Sequence, residues 1–371
     1  DLASLQDGTG ALEEITEGSN TGYRIAGRDA ANYGDIGDNA IDLSYSDGQF
    51  TTRGATGNYS TAMGSGTTAS GIGSTAMGFN TEASGIYSTA MGWYTTASGA
   101  ASTAMGDGTT ASGTNSTAMG YQTTASGIAS TAMGSATAAF GDASTAMGIY
   151  TTASGDFSTA MGFSTEASGD YSTATGDNTE ASGTRSTAMG YYTTASGNAS
   201  TAMGFLTIAS GNLSTAMGSN TIAKSYAETT IGHHNTDYTP AGATSWNTGD
   251  RLFVIGNGQS AFAKSDAMIV YKSGNTVING ALTLGSITLP NTDGTSGQVL
   301  ATNGAGNVSW VTASSGGTDD QNISGSGLSG TTLTIGIEGG SSETIDLASL
   351  QDGSGALEEI TEGSNTGYRI S

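Results

Sequence analysis

One pattern governs residues 57–232: S-T-A-M-G-x-x-T-x-A-S-G-x-x, recurring every 14 positions. Its first glycine stands at Gly64, Gly78, Gly92 and every fourteenth residue to Gly232, and its second at Gly57, Gly71, Gly85 and on to Gly211. Without that phase the composition would read as disorder. The chain has 60 glycines in 371 residues and a net charge of −23, where glycine is ordinarily about 7%. A repeat that keeps its phase for so many steps is the mark of a solenoid, in which no single unit can bury a core alone.

Each unit divides into two seven-residue halves, with Ala62 matching Ala69 and Gly64 matching Gly71. A half offers a short extended run, then glycine and two variable positions. Glycine tolerates the positive φ of a tight corner. Two strands and two corners per unit predict one coil of a parallel β-roll, with coils hydrogen-bonded about 4.8 Å apart and a rod on the order of 60 Å long. Positions that vary between copies within the chain predict facing. Thr67 and Ala69 recur in every copy, while the residue between them is Thr68, Glu82, Thr96, Ala138 or Ile208. Alternation then turns Thr67 and Ala69 inward and Thr68 and Ser70 outward.

The first strand is constrained on both faces. Ser60 and Ala62 close the coil interior. Thr61 and Met63 begin an outward ladder: Met63, Met77, Met91, Met105, Met119, Met133, Met147, Met161, Met189, Met203 and Met217, broken by Thr175. An exposed apolar stripe of that length is an association surface. It predicts a homo-oligomer packed on its methionine strands.

The motif resembles the 14-residue head repeat of trimeric autotransporter adhesins of the YadA type, whose core is A-[IV]-G-x-x-[ST]-x-A-x-G. The resemblance spans residues 57–232 and implies a left-handed parallel β-roll that trimerises, on the cell surface and without catalysis. Here methionine stands where the family has isoleucine or valine.

The expected organisation is a β-rich connector at 1–56, the roll at 57–232, a β-rich neck or shaft segment at 233–315, and a second connector at 316–371. Residues 1–25 reappear at 346–370 with one change, Thr9 to Ser354. That duplication predicts a unit of 345 residues used in tandem. Short strands are expected at 252–255, 268–271, 276–278 and 281–284, with Pro240 ending the regular pairing. One helix is expected around Ala11–Glu17. Residues 286–311 and 319–347 resemble connectors of bacterial surface-fibre and tail-fibre-like proteins.

The chemical inventory is sparse. With 9 Lys and Arg against 32 Asp and Glu, the chain lacks a basic nucleic-acid surface. It has no cysteine, and no apolar run long enough to span a membrane. The two histidines, His233 and His234, point to opposite faces if extended, so one chain cannot easily use both on one metal; a polar end-cap is preferred. Asp35, Asp38 and Asp42 suit a solvated surface, with loose Ca2+ or other divalent binding as the alternative, and no cofactor is required. The variable corners carry Phe79, Trp93, Tyr94, Tyr121, Tyr150, Phe163, Tyr191, Tyr192 and Phe205. These are surface-contact candidates for a host or prey cell, a glycan or matrix. The leading expectation is a non-catalytic extracellular adhesive fibre module that assembles with itself. A phage-type or injection-machine receptor-binding fibre is the alternative, and an ice-binding face of Thr96/Ser98 to Thr124/Ser126 a minor one.

Overall fold

The structure is a computed structural model that describes residues 12–46, 48, 51–285, 287–290, 292–313 and the strands at 327–329, 332–335, 343–346, 357–362 and 365–370. Two compact units divide the chain, Asp1–Asn279 and Gly280–Ser371.

The first unit opens with a hairpin, β1 (Leu12–Glu17) and β2 (Asn20–Ile25), paired antiparallel from Leu12↔Ile25 to Glu17↔Asn20. The helix expected around Ala11–Glu17 is therefore a strand. The local run LEEITE has helix-forming residues, but Gly18 turns the chain at φ +64 and the hairpin partner outweighs local propensity. Strand β2 then pairs in parallel with β3 (Ile41–Tyr45), Tyr23↔Ile41 and Arg24↔Asp42. After β4 (Gly54–Ala55), the roll begins with β5 (Thr61–Ser65) and β6 (Thr68–Ala69). Five-residue and two-residue strands alternate from there to β28 (Ile222–Ala223) and β29 (Thr229–His233).

Every long strand pairs in parallel with the one a coil later, Thr61↔Thr75 through Ser65↔Phe79 being the first such pair in the repeat. The short strands form a second parallel sheet of 13 strands. This is an all-β parallel solenoid of 14-residue coils, and it contains no α-helix among the described residues. The core is the gap between the two sheets. Ala62 and Ala69 and their equivalents to Ala216 and Ala223 are fully buried, and Ser60 and Thr67 and theirs nearly so. Residues this small bring two sheets too close for anything larger, which is why the pattern cannot drift. The hydroxyl of Ser144 donates to Gly141 O at 2.6 Å, whereas those of Ser60, Ser74 and their other equivalents are buried without a hydrogen-bond partner.

The two glycines of the repeat do different jobs. Gly120 has φ +124, but Gly127 has no positive φ. Gly127 is required because a Cβ there would lie 2.0 Å from Gly141 O of the next coil. The corner residue with left-handed backbone is instead the second variable position, as at Tyr87 (φ +58) and Ala101 (φ +53). Non-glycine residues hold it because their N–H groups are tied to the previous coil: Tyr87 N donates to Ile72 O at 2.8 Å and Ala101 N to Ile86 O at 2.7 Å. Repeated inter-coil bonding overrides the local cost of a left-handed residue.

Beyond the roll, β30 (Arg251–Asn257) continues the long-strand sheet in parallel with β29, and β31 (Asp266–Tyr271) and β32 (Thr276–Ile278) follow antiparallel. No strand occurs from 235 to 250, on either side of Pro240. In the second unit, hairpins form from β33 (Leu282–Leu284) with β34 (Ile287–Leu289) and β35 (Gln298–Thr302) with β36 (Val308–Thr312). Strands β37 (Gly327–Ser329), β38 (Thr332–Ile335) and β39 (Glu343–Asp346) form a three-stranded sheet. Last come β40 (Leu357–Glu362) and β41 (Asn365–Ile370), another antiparallel hairpin. The start of the 319–347 connector and the Thr9/Ser354 exchange lie outside the described residues.

Candidate functional surfaces

The long-strand sheet carries the methionines on its outer face, as alternation demands when Ala62 is inward. Consecutive coils place them in direct register, Met63↔Met77, Met77↔Met91, Met91↔Met105 and onward, with Thr175 between Met161 and Met189. They lie along the sheet against one another, yet Met63, Met105 and Met189 keep 38%, 36% and 41% of their surface open. The column is longer than the methionine count suggests. Leu43 pairs with Met63 at one end, and at the other Met217 pairs with Ile231 and Ile231 with Ile255. The phase of Gly232 signals Ile231 in the sequence. Leu43 has no such signal, because Asp42 and Ser44 replace the alanine and glycine beside it.

At the corner after the methionine strand, the structure gathers the expected aromatics into clusters rather than one continuous line. Phe79 stacks on Trp93 at 4.3 Å, and Tyr94 meets both rings edge-on at 5.7 and 5.6 Å. Tyr150 meets Phe163 at 6.1 Å. Tyr191 stacks on Phe205 at 5.3 Å and contacts Tyr192 at 4.6 Å. Local desolvation, then Tyr192 and Asp177, push the Tyr191 hydroxyl pKa up. Tyr121 falls in the same row, and Asp107, Ser135 and Asp177 separate the groups along the sheet.

The opposite corner carries a second aromatic row that sequence reading missed. Tyr59, Tyr87, Phe157 and Tyr171 all occupy its left-handed position and are exposed. Phe157 stacks on Tyr171 at 4.9 Å, with Arg185 5.6 Å above the Tyr171 ring. Beside them, Asp142, Asp156 and Asp170 each accept the backbone N–H one coil back, at 2.8, 2.9 and 3.1 Å. The signal was the residue directly before each Ser-Thr-Ala, in phase with the left-handed corner.

Each end of the roll is closed by a polar cap. At the start, Arg24 is buried and pairs with Glu17 at 2.9 Å and Asp42 at 3.2 Å, while Glu17 also accepts from Ile36 N at 2.6 Å. Asp42 is therefore a structural counter-ion to Arg24. Asp38 takes the Asn39 amide at 3.0 Å. At the far end, Glu228 is fully buried and accepts from Lys224 N and Ser225 N at 2.9 and 2.8 Å. Burial raises its pKa against those hydrogen bonds and Arg251. Burial likewise pushes the Tyr238 hydroxyl up to about 12. Lys272 reaches Ser225 Oγ at 2.9 Å, and Asp250 accepts Ala241 N and Gly242 N, both at 2.8 Å. His233 Nδ1 lies 2.6 Å from Gly258 O. Its ring stands edge-on to that of His234, whose pKa is lowered by desolvation and then by His233 and Lys264. Among the described residues, no three His, Cys, Asp or Glu side chains come together as a metal site.

In comparison with known families, the chain matches the YadA head domain repeat (2 copies) at residues 55–81, 83–109, 97–123, 111–137, 125–151, 139–165, 153–179 and 181–207. Successive matches follow the 14-residue phase and each spans two coils. No curated protein matches the chain.

Proposed function

We propose, from the premise that residues 55–207 are YadA head domain repeats, that this chain works as a non-catalytic adhesive module assembled from identical copies. Such heads are structural parts of autotransporter adhesins, exposed at the cell surface and not enzymes. The observation that carries the reading is the registered apolar column from Leu43 to Ile255, in which seven methionines, among them Met63, Met77 and Met189, keep 36–41% of their surface open in a single chain. Full burial of a methionine is worth roughly 1.5–3 kcal/mol, so covering the open third gives about 0.5–1 kcal/mol per residue. Over the seven methionines left that open this reaches about 3.5–7 kcal/mol per chain, before the ordering cost of flexible side chains. Sister chains packed on this face, three around a common axis, gather that energy; a lone chain leaves it in contact with water.

With the methionine face turned inward, the corner aromatics point away from the axis. Clusters such as Phe79–Trp93–Tyr94 and Tyr191–Tyr192–Phe205 would then be the contact points for a host or prey cell, glycan or matrix. The 345-residue spacing of the two copies of the opening segment supports use in tandem, as one unit of a long surface filament. Beads coated with the chain should bind cells, and Trp93→Ala with Tyr94→Ala and Tyr191→Ala with Tyr192→Ala should cut binding several-fold without changing the β-sheet circular dichroism. Undiminished binding by the quadruple variant would refute the aromatic contact.

A further inference from the structure

The second aromatic row already holds one cation of the chain's own. Ala143, Phe157, Tyr171 and Arg185 take the same corner position in four successive coils, at φ +54, +57, +58 and +59, and each N–H is tied to the preceding coil at 2.7 Å. One backbone conformation sends the four side chains out in parallel, about 4.8 Å apart. Phe157 and Tyr171 accordingly stack at 4.9 Å, 5° from parallel, and the Arg185 guanidinium lies 5.6 Å over the Tyr171 ring. On the other side of Phe157 the row offers only the methyl groups of Ala143 and Ala129. That ring, on a residue 55% exposed, ends the stack with an open face.

Carboxylates flank the opening. Asp156 reaches back to Asp142 N and Asp142 to Ile128 N, so the Asp156 carboxylate stands level with the coil of Ala143, toward which the free face of Phe157 is turned. The fold does not require these charges. Asn212 accepts Asn198 N at 3.0 Å and Asn58 accepts Asp38 N at 3.0 Å, the same bond made by a neutral amide. Acidic residues in successive coils add like-charge repulsion that the corner bond does not need. Phe140, exposed two residues before Asp142, stands where the neighbouring coils have Ser126 and Ser154. We propose that this corner, with Phe140, Asp142, Asp156 and Phe157 around Ala143, docks an arginine side chain of a basic partner protein. The open ring takes a planar guanidinium as Tyr171 takes Arg185. The carboxylate oxygens not used by the backbone accept its N–H groups, and the net charge of −23 draws a basic partner in. Use of the site at a cell surface rests on the adhesive reading, but the arginine contact itself does not.

Fluorescence anisotropy of a labelled hexa-arginine peptide, titrated with the full 371-residue chain, reads the site. Phe157→Leu should weaken binding about twofold to fivefold, and Phe157→Tyr, which keeps a ring, should restore it. Asp142→Asn with Asp156→Asn keeps the corner bonds and should weaken binding about fivefold. Two controls should change it by less than about 1.5-fold. Glu82→Gln with Asp107→Asn removes the same charge from other faces of the roll, and Tyr87→Leu removes an exposed ring of the same row that lies between Ile72 and Ile86 rather than aspartates. Equal losses from the two carboxylate pairs would make the chain a diffuse acidic surface and overturn the proposal, as would a Phe157→Leu chain that binds like the unsubstituted one. Hexa-lysine bound as tightly as hexa-arginine would overturn the guanidinium assignment. If Phe157→Leu loses its β-sheet circular dichroism, the comparison of the two carboxylate pairs decides alone. Every variant keeps Trp93, Tyr94, Tyr191 and Tyr192, so failure here and failure of the adhesive reading are separate results.

Discussion

Replacing Gly120 by alanine tests whether the coils are stacked as tightly as the structure shows. The new Cβ would sit 2.0 Å from Gly134 O in the next coil. Easing that contact to about 3 Å needs about 1 Å of extra separation, which stretches flanking inter-coil hydrogen bonds beyond their working range. Those bonds are Thr117 N to Ser130 O at 2.9 Å and Ala136 N to Tyr121 O at 2.8 Å. Losing two of them costs about 1–3 kcal/mol at a net 0.5–1.5 kcal/mol each. Gly120 also holds φ +124, a strain of about 1–3 kcal/mol for any other residue. The sum is about 2–6 kcal/mol. Gly127→Ala meets a carbonyl at the same 2.0 Å without the backbone strain, so only the steric part, about 1–3 kcal/mol, applies. Ala129→Gly, at φ +56, should stay within about 1 kcal/mol of wild type. Urea unfolding followed by circular dichroism gives the order, and hydrogen exchange should show loss of protection around residues 117–144, sparing the distant coils. A Gly120→Ala protein as stable as wild type would refute the stacking geometry.

Two further perturbations address the caps. Arg24→Ala leaves the fully buried Asp42 without its counter-ion, and should lower the stability of the first coils by about 3–5 kcal/mol, with faster hydrogen exchange there and little change beyond the middle of the roll. Glu228 has a folded-state pKa raised above the ordinary carboxylate value by burial, so the folded state holds its proton more tightly. Its contribution to stability is complete below the unfolded value and is lost as pH rises through the folded one. Glu228→Gln should flatten that slope in hydrogen exchange of residues 222–233; an unchanged slope would remove Glu228 as its source.

Much of the roll is legible in the sequence because twelve copies of one unit act as their own alignment. The invariance of Ala69 beside the variability of Thr68, Glu82 and Ile208 gives strand facing directly, and the structure buries the alanines and opens the variable row. What the repeat does not encode is harder to read. Asp42 and Ser44 break the pattern, so the apolar continuation at Leu43 and the Arg24 pair appear only when chain segments 18 residues apart meet. The LEEITE run has helical propensity and no visible partner in sequence, yet a hairpin claims it. The second aromatic row was hidden by assigning positive φ to the glycines alone, when inter-coil bonds hold Tyr87 and Tyr171 in that region as well.

The association of the methionine face is tested most directly by sedimentation equilibrium of the 371-residue chain beside its Met91→Asp, Met105→Asp, Met119→Asp variant. A trimer of the 36.6 kDa chain has a mass of about 110 kDa. The unsubstituted protein should sediment there, and the variant, with three carboxylates placed on each closing face, should fall to the mass of a single chain with its β-sheet spectrum retained. An unsubstituted protein that stays at 36.6 kDa at micromolar concentration, or a variant whose assembly is undisturbed, would contradict the account.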